Sequence, residues 1–256
     1  MTVVAKARDL IADTHDNLRI DSHAKEENLL LFKYLWKKGY TDAQVIEVGC
    51  GTGLLIDYLD EKIEPGKYLG LDVSKEMVAV ARAKHPEYAF SDTSILHIPT
   101  LEDMVEALVC TFGIFSYLMT PTEIEGVLAE MLRVLKPGGK LFLMVHGAET
   151  FRTKAYELSV AGQVMPRRPW TAAGLREYVE KGFDVVKVWG MASRWFYRLP
   201  SWTPRFLLRW WLWVEVRTTG RWRPARGRFL MIEAVKPIPE EPPFHPVQLV
   251  PSTELE

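Results

Sequence analysis

The sequence predicts an α/β protein built on a doubly wound, mainly parallel sheet of seven strands with helices on both faces. Three observations carry this. Short apolar runs of strand length alternate with helical periodicity along most of the chain, the signature of successive βαβ units. The stretch "VIEVGCGTG", residues 45–53, takes a β-branched run straight into glycines at every second position before a helical pattern begins. Two later strands end in acidic residues, Asp72 and Asp92.

The elements follow in order. A first helix is predicted over residues 23–38, where Leu29, Phe32, Leu35 and Trp36 share one face. Strand one follows at 44–49, then a helix near 53–61 and a second strand, "KYLGLD", ending at Asp72. Ser74 caps the next helix and Pro86 stops it. "EYAFSD" reads as the third strand and "EALVCTF" as the fourth. The helix at 121–135 has the clearest start in the chain: Thr120 as N-cap, Pro121 in the first turn and Glu123 as capping-box acid, with Ile124, Val127, Leu128, Met131 and Leu135 as its buried stripe. "KPGG" ends that helix and has no chemistry of its own. The fifth strand is "KLFLMV", followed by helical segments near 149–162 and 171–181, a sixth strand "FDVVKVWGM" and a seventh, "RFLMIEAVK".

Organised by these elements, residues 1–43 read as an N-terminal helical cap and 44–236 as the main domain, with an Arg/Trp-rich insert at 192–227 before the last strand. Residues 237–256, with six prolines in twenty, read as an extended or disordered tail. The composition, 48% hydrophobic and 25% charged, suits one ordinary globular domain with such decoration. No stretch of 18 residues is free of charge and the N-terminus lacks a long apolar run, so a cytoplasmic protein is expected. Cys50 and Cys110 are too few for a disulfide framework and lack metal-ligand spacing, so no metal is expected. Small packing residues beside the ligand are the better reading for both.

In a parallel α/β sheet the ligand crevice lies outside the carboxyl ends of the strands, where strand order reverses. Gly49, Gly51 and Gly53 allow a sharp turn there and a ligand in contact with backbone amides. Their G-x-G-x-G spacing departs from the dinucleotide pattern, and no Gly-Lys-Ser/Thr follows for a triphosphate. Asp72, nineteen residues after Gly53, is placed to accept from both hydroxyls of a ribose, and Asp92 to accept from an exocyclic adenine amino group. Glu47, a charge inside an apolar strand, is better tolerated beside a cationic ligand. The expected guest is a nucleoside.

"EVGCGTG", "GLDVSKEMV", "FSDTSILHIP" and "LKPGGKLFLMV", in this order and at these distances, resemble the class I S-adenosylmethionine-dependent methyltransferases. The resemblance covers roughly residues 44–190 and the last strand. It implies a Rossmann-like seven-stranded sheet with an antiparallel final strand, and S-adenosylmethionine as cofactor. It further implies that the Gly49–Gly53 loop holds the methionyl part, Asp72 the ribose, Val73 the adenine face, and Asp92 with Thr93 the adenine edge. Cys110 and Thr111 would line the sulfonium side. One departure from the family pattern is "DMVEALVC" where a Phe-Asp pair usually precedes the fourth strand.

Methyl transfer from a sulfonium is an in-line displacement that needs alignment more than a strong base. His146, directly after the fifth strand, is the candidate to take a proton from the acceptor, and Tyr117 a candidate pocket wall. A strand-end histidine also serves simply to bond backbone. His15, Arg19 and His23, near the start of the first helix, are assigned to the surface.

Residues 194–228 hold nine arginines against one acid, Glu215, and six of the nine tryptophans, leaving 23 basic against 32 acidic side chains elsewhere. Arginine with tryptophan suits a membrane interface. The same segment also suits a lid packed over the active site or a dimer contact. Nucleic acid is the least favoured partner, because the remaining surface is acidic and no Asp/Asn-Pro-Pro-aromatic motif occurs.

The sequence therefore predicts a methyltransferase acting on oxygen, nitrogen or carbon of a small, apolar acceptor. One alternative is a lipid or quinone methyltransferase at the membrane surface. Another is a non-catalytic protein that binds the cofactor as a partner or regulator. The oligomeric state has no sequence signature here.

Overall fold

The structure, a computed structural model, describes residues 2–14, 22–40, 43–148, 156–160, 163–191, 196–218 and 227–239. Helices α1 (Thr2–Asp9) and α2 (Ser22–Lys37) precede strand β1 (Val45–Val48). Then follow α3 (Leu54–Leu59), β2 (Tyr68–Leu71), α4 (Lys75–Lys84), β3 (Ala89–Ser91), β4 (Val105–Cys110), α5 (Pro121–Val134) and β5 (Leu135–His146). A hairpin, β6 (Tyr156–Val160) and β7 (Gln163–Arg167), leads to α6 (Ala172–Val179), β8 (Asp184–Met191), α7 (Arg205–Thr218) and β9 (Phe229–Val235).

The main sheet has seven strands in the order β3-β2-β1-β4-β5-β9-β8. Strands β1 to β5 are parallel, whereas β9 runs antiparallel between β5 and β8. Sequence order reverses at β1, which pairs Glu47 with Gly70 on one side and with Val109 on the other. A ligand crevice belongs at that point.

Strand side chains alternate between two core layers, as a sheet covered on both faces requires. Ala107, Val109, Phe142, Met144 and Met231 pack with Phe32 and Leu35 of α2, Ile56 of α3 and Leu208 and Leu212 of α7. Leu108, Cys110, Leu141, Leu143 and Ile232 pack on the other face, against Ile124, Val127 and Met131 of α5 and Leu175 of α6. Each such buried aliphatic side chain contributes roughly 1.5–3 kcal/mol relative to exposure.

The start signals act as their chemistry demands. Ser74 accepts from the Met77 amide, and Thr120 with Glu123 forms a reciprocal capping box. Three expectations are corrected. The second half of the segment read as a helix near 149–162 is strand β6, paired with β7 as a separate two-stranded sheet; residues 149–155, 161 and 162 lie outside the described residues. The helix at 121–135 stops at Val134, and Lys136–Gly139 sit inside β5, where the register with β4 shifts. His23, assigned to the surface, is buried against the Phe196 ring, centroids 5.0 Å apart. His15, Arg19, Arg194 and residues 219–226 and 240–256 lie outside the described residues.

Helix α7 lies across α2. The Glu26 carboxylate, fully buried, accepts from Arg205 Nε and Arg209 Nε, each at 2.5 Å. Burial alone would raise this carboxyl, but the two guanidiniums outweigh it and hold it below the ordinary carboxylate range.

Candidate functional site

A cleft opens at the carboxyl ends of β1 and β2. It consists of two adjoining hollows that share Arg8, Gly49, Asp72 and Ile114. The glycine loop forms one wall. Gly49, Gly51 and Gly53 all have positive φ, at 75°, 55° and 83°, so the turn requires glycine at each. Two of them are also spacers within the protein: a Cβ on Gly49 would lie 2.3 Å from Ile114 Cγ1, and one on Gly53 2.9 Å from the His85 ring.

Asp72 sits at the end of β2, only 8% exposed. Its Oδ2 accepts from the Gly51 amide at 3.0 Å and its Oδ1 from the Ser74 amide at 2.9 Å. Asp72 lines both hollows, so this buried carboxylate stands at the cleft wall. That geometry suits a pair of vicinal hydroxyls. Val73, Thr93 and Ile95 line the hollow beside Asp72, while Met77 and Phe112 line the one beside the glycine loop.

The remaining sequence-predicted residues lie around this cleft rather than all along it. Cys50 lines it, but burial, with Asp72 and Glu47 nearby, drives its thiol well up. Cys110 points into the α5-side core, and burial pushes its thiol up to about 12. Neither is a thiolate at neutral pH. Glu47 is 1% exposed behind the loop, accepting from Tyr68 Oη at 2.6 Å and from Thr111 Oγ1 at 3.5 Å. Burial raises its carboxyl to about 8 against the lowering effect of those bonds. Asp92 is exposed just past β3, and neither it, Glu47, Cys110 nor Thr111 lines either hollow.

Tyr117 lines the cleft, in the turn that follows β4. Its hydroxyl oxygen accepts from Arg167 Nε at 3.0 Å, Arg167 Nη2 at 2.6 Å and Arg8 Nη2 at 3.2 Å. His146, at the end of β5, lies one step farther in, 4% exposed, and its Nε2 accepts from Arg167 Nη1 at 3.0 Å. The ring lies against Gly113, where a Cβ would come within 2.1 Å of it. The structure thus joins the two predicted catalytic residues through Arg167 on β7, which sequence reasoning missed.

Arg8 was missed as well. Helix α1 packs Ala7 and Val4 with Tyr117, Met165 and Ile114. Asp9 accepts from Ser74 Oγ at 2.5 Å and from the Glu76 amide at 3.3 Å, which fixes the end of α1 on the start of α4, beside Asp72. The helix therefore roofs the cleft. No cluster of three or more metal-binding side chains occurs among the described residues.

Residues 45–139 match the family model described as a methyltransferase domain. Over 138 residues the chain is 30% identical to a demethylmenaquinone methyltransferase of Lactococcus lactis, a match covering 51% of this chain and 53% of that protein. The chain thus spans about half the length of that relative. Among solved structures, it is similar to the [4+2]-cyclase SpnF (TM-score 0.58, 20% identity, 82% of this chain and 81% of that one). It is similar also to the N-methyltransferase NodS of Bradyrhizobium japonicum in complex with S-adenosyl-L-homocysteine (TM-score 0.57, 16% identity, 86% and 91%). At these identities the structural likeness speaks for the Rossmann-like fold.

Proposed function

We propose, from the match of residues 45–139 to a methyltransferase domain and from the cleft at the strand ends, that the protein moves a methyl group from S-adenosylmethionine to a small, apolar acceptor. The observation that carries the reading is Asp72: a buried carboxylate at the strand end, tied to the glycine-loop amide and lining both hollows of the cleft. A ribose diol is the donor pair that a carboxylate at this strand end accepts from. Val73 and Thr93 flank the space for an adenine, and the Gly49–Thr52 backbone faces the space for the amino-acid end.

When bound, such a cofactor supplies an electrophilic methyl carbon on a sulfonium sulfur. The chain's own work is then alignment and exclusion of water. Helix α1 roofs the cleft through Arg8 and Asp9. Tyr117 forms part of the cleft wall. Three N–H groups of Arg167 and Arg8 share the two acceptor positions of its hydroxyl oxygen, so its own O–H points away from them. Tyr117 thereby serves as a donor that orients an acceptor oxygen.

A quinone or other lipophilic acceptor is the favoured substrate class within this reading. The demethylmenaquinone methyltransferase among the relatives supports it, as does the aromatic surface described below. Calorimetry with S-adenosylhomocysteine tests the pocket: we expect binding by the wild type and at least about tenfold weaker binding by Asp72→Ala, the loss of a charge-assisted pair of hydrogen bonds. Equal affinity would displace the ribose from Asp72. Transfer of a labelled methyl group into the lipid fraction of a cell extract tests the acceptor class; binding without turnover on any fraction would favour the non-catalytic alternative.

A further inference from the structure

Helix α7 has two faces of opposite logic. Leu208 and Leu212 are fully buried and point into the core beside α2. On the opposite side Phe206, Trp210, Trp213 and Arg217, spaced four, three and four residues apart, form one stripe. Phe206 is 68% exposed, Trp210 59% and Trp213 47%, and Trp202 in the preceding turn is 80% exposed. A soluble surface seldom displays large aromatics in a continuous row without a partner.

The charges beside the row select that partner. Arg217 stacks 3.9 Å from the Trp213 ring centroid. Arg198 is exposed, and Arg205 and Arg209 remain about half exposed at the flank even while they bond Glu26. The one acid of the segment, Glu215, accepts from Trp211 Nε1 at 2.6 Å. Indoles favour the headgroup depth of a bilayer, and guanidiniums meet phosphates there. A second copy docked face to face would set the same arginines against one another. No described helix is long and apolar enough to cross a membrane.

Resting on the proposal of a lipophilic acceptor, we infer that the outer face of α7, with Trp202, docks the protein on an anionic lipid membrane surface. Helix α2 joins that face to the cleft: Glu26 holds α7, and Phe32 meets the cleft-lining Phe112 with ring centroids 5.9 Å apart. A membrane-dissolved acceptor is thereby brought to the side of the molecule that carries the cleft's aromatic wall.

Co-sedimentation of the full chain with vesicles tests this. We expect pelleting with vesicles of phosphatidylcholine mixed with phosphatidylglycerol, little with phosphatidylcholine alone, and weakening as salt rises. Trp210→Ser with Trp213→Ser, both on the exposed face, should weaken the partition roughly tenfold or more. S-adenosylhomocysteine binding by the double variant should equal that of the wild type, which verifies its fold. Absence of that binding in both proteins would sink the cofactor reading while leaving the vesicle result to stand by itself. Four results would overturn the docking inference: wild type left in the supernatant at low salt, equal partition of the double variant, a dimer in light scattering that the double substitution abolishes, or tighter binding to a single-stranded oligonucleotide than to the vesicles.

Discussion

Arg167 Nη1 donates to His146 Nε2 at 3.0 Å. A guanidinium has no acceptor atom, so this imidazole nitrogen carries no proton and His146 is the neutral Nδ1-protonated tautomer. The nitrogen facing Arg167 is already committed, which gives His146 the work of holding the arginine. Nitrogen-detected NMR on labelled protein at neutral pH should report Nδ1 protonated and Nε2 bare. The opposite tautomer, or an imidazolium, would refute the arrangement.

Tyr117→Phe removes the oxygen on which Arg167 and Arg8 converge. Arg167 is 9% exposed and loses two of its hydrogen bonds. The expected loss of stability is about 1–3 kcal/mol by urea unfolding. Methyl transfer should drop further than cofactor affinity, because the substituted ring still fills the wall while the proposed donor to the acceptor is lost along with the arginine anchor. Equal losses in both would mean that Tyr117 merely supports the pocket.

Gly49→Ala combines two costs. Its φ of 75° is left-handed, unfavourable by about 1–2 kcal/mol for any side chain, and the new Cβ would strike Ile114 Cγ1 at 2.3 Å. Adding Ile114→Ala removes the second cost and leaves the first. Urea midpoints should therefore show the double variant more stable than the additive sum of the two single changes. Strict additivity would show that the loop relaxes on its own.

Glu47 titrates with a folded value of about 8 against an ordinary 4.5. Between those values the folded chain holds a proton that the unfolded chain releases, so stability falls as pH rises from about 4.5 to about 8 and is level above. Glu47→Gln keeps an acceptor for Tyr68 and abolishes the titration. Relative to this variant the wild type should lose up to about 5 kcal/mol across that window. Parallel stability curves from pH 5 to pH 9 would contradict the burial argument.

The legible part of this protein was local. Capping at Ser74 and Thr120 needs only neighbours three residues away, and strand β5 announces itself by the unbroken apolar run Leu141–Val145. The glycine loop and Asp72 were likewise readable, since each stands at a strand end. The β6–β7 hairpin was not. Lys154, Ala155, Glu157 and Leu158 are good helix formers, and that propensity masked the alternation of Tyr156, Leu158 and Val160. Missing the hairpin meant missing Arg167, whose partners Tyr117 and His146 are 50 and 21 residues away in sequence. Arg8 was hidden for the same reason: its partner Tyr117 is 109 residues along the chain.

Every residue lining the two hollows falls between Val4 and Tyr117, whereas α7 comes between β8 and β9 in the chain and packs on α2. The proposed nucleoside recognition and the proposed surface attachment thus rest on separate stretches of the chain. A graft that exchanges residues 192–227 for another aromatic segment should redirect where the protein resides without disturbing what it holds, provided that Glu26 is retained for two matching arginines or replaced along with them.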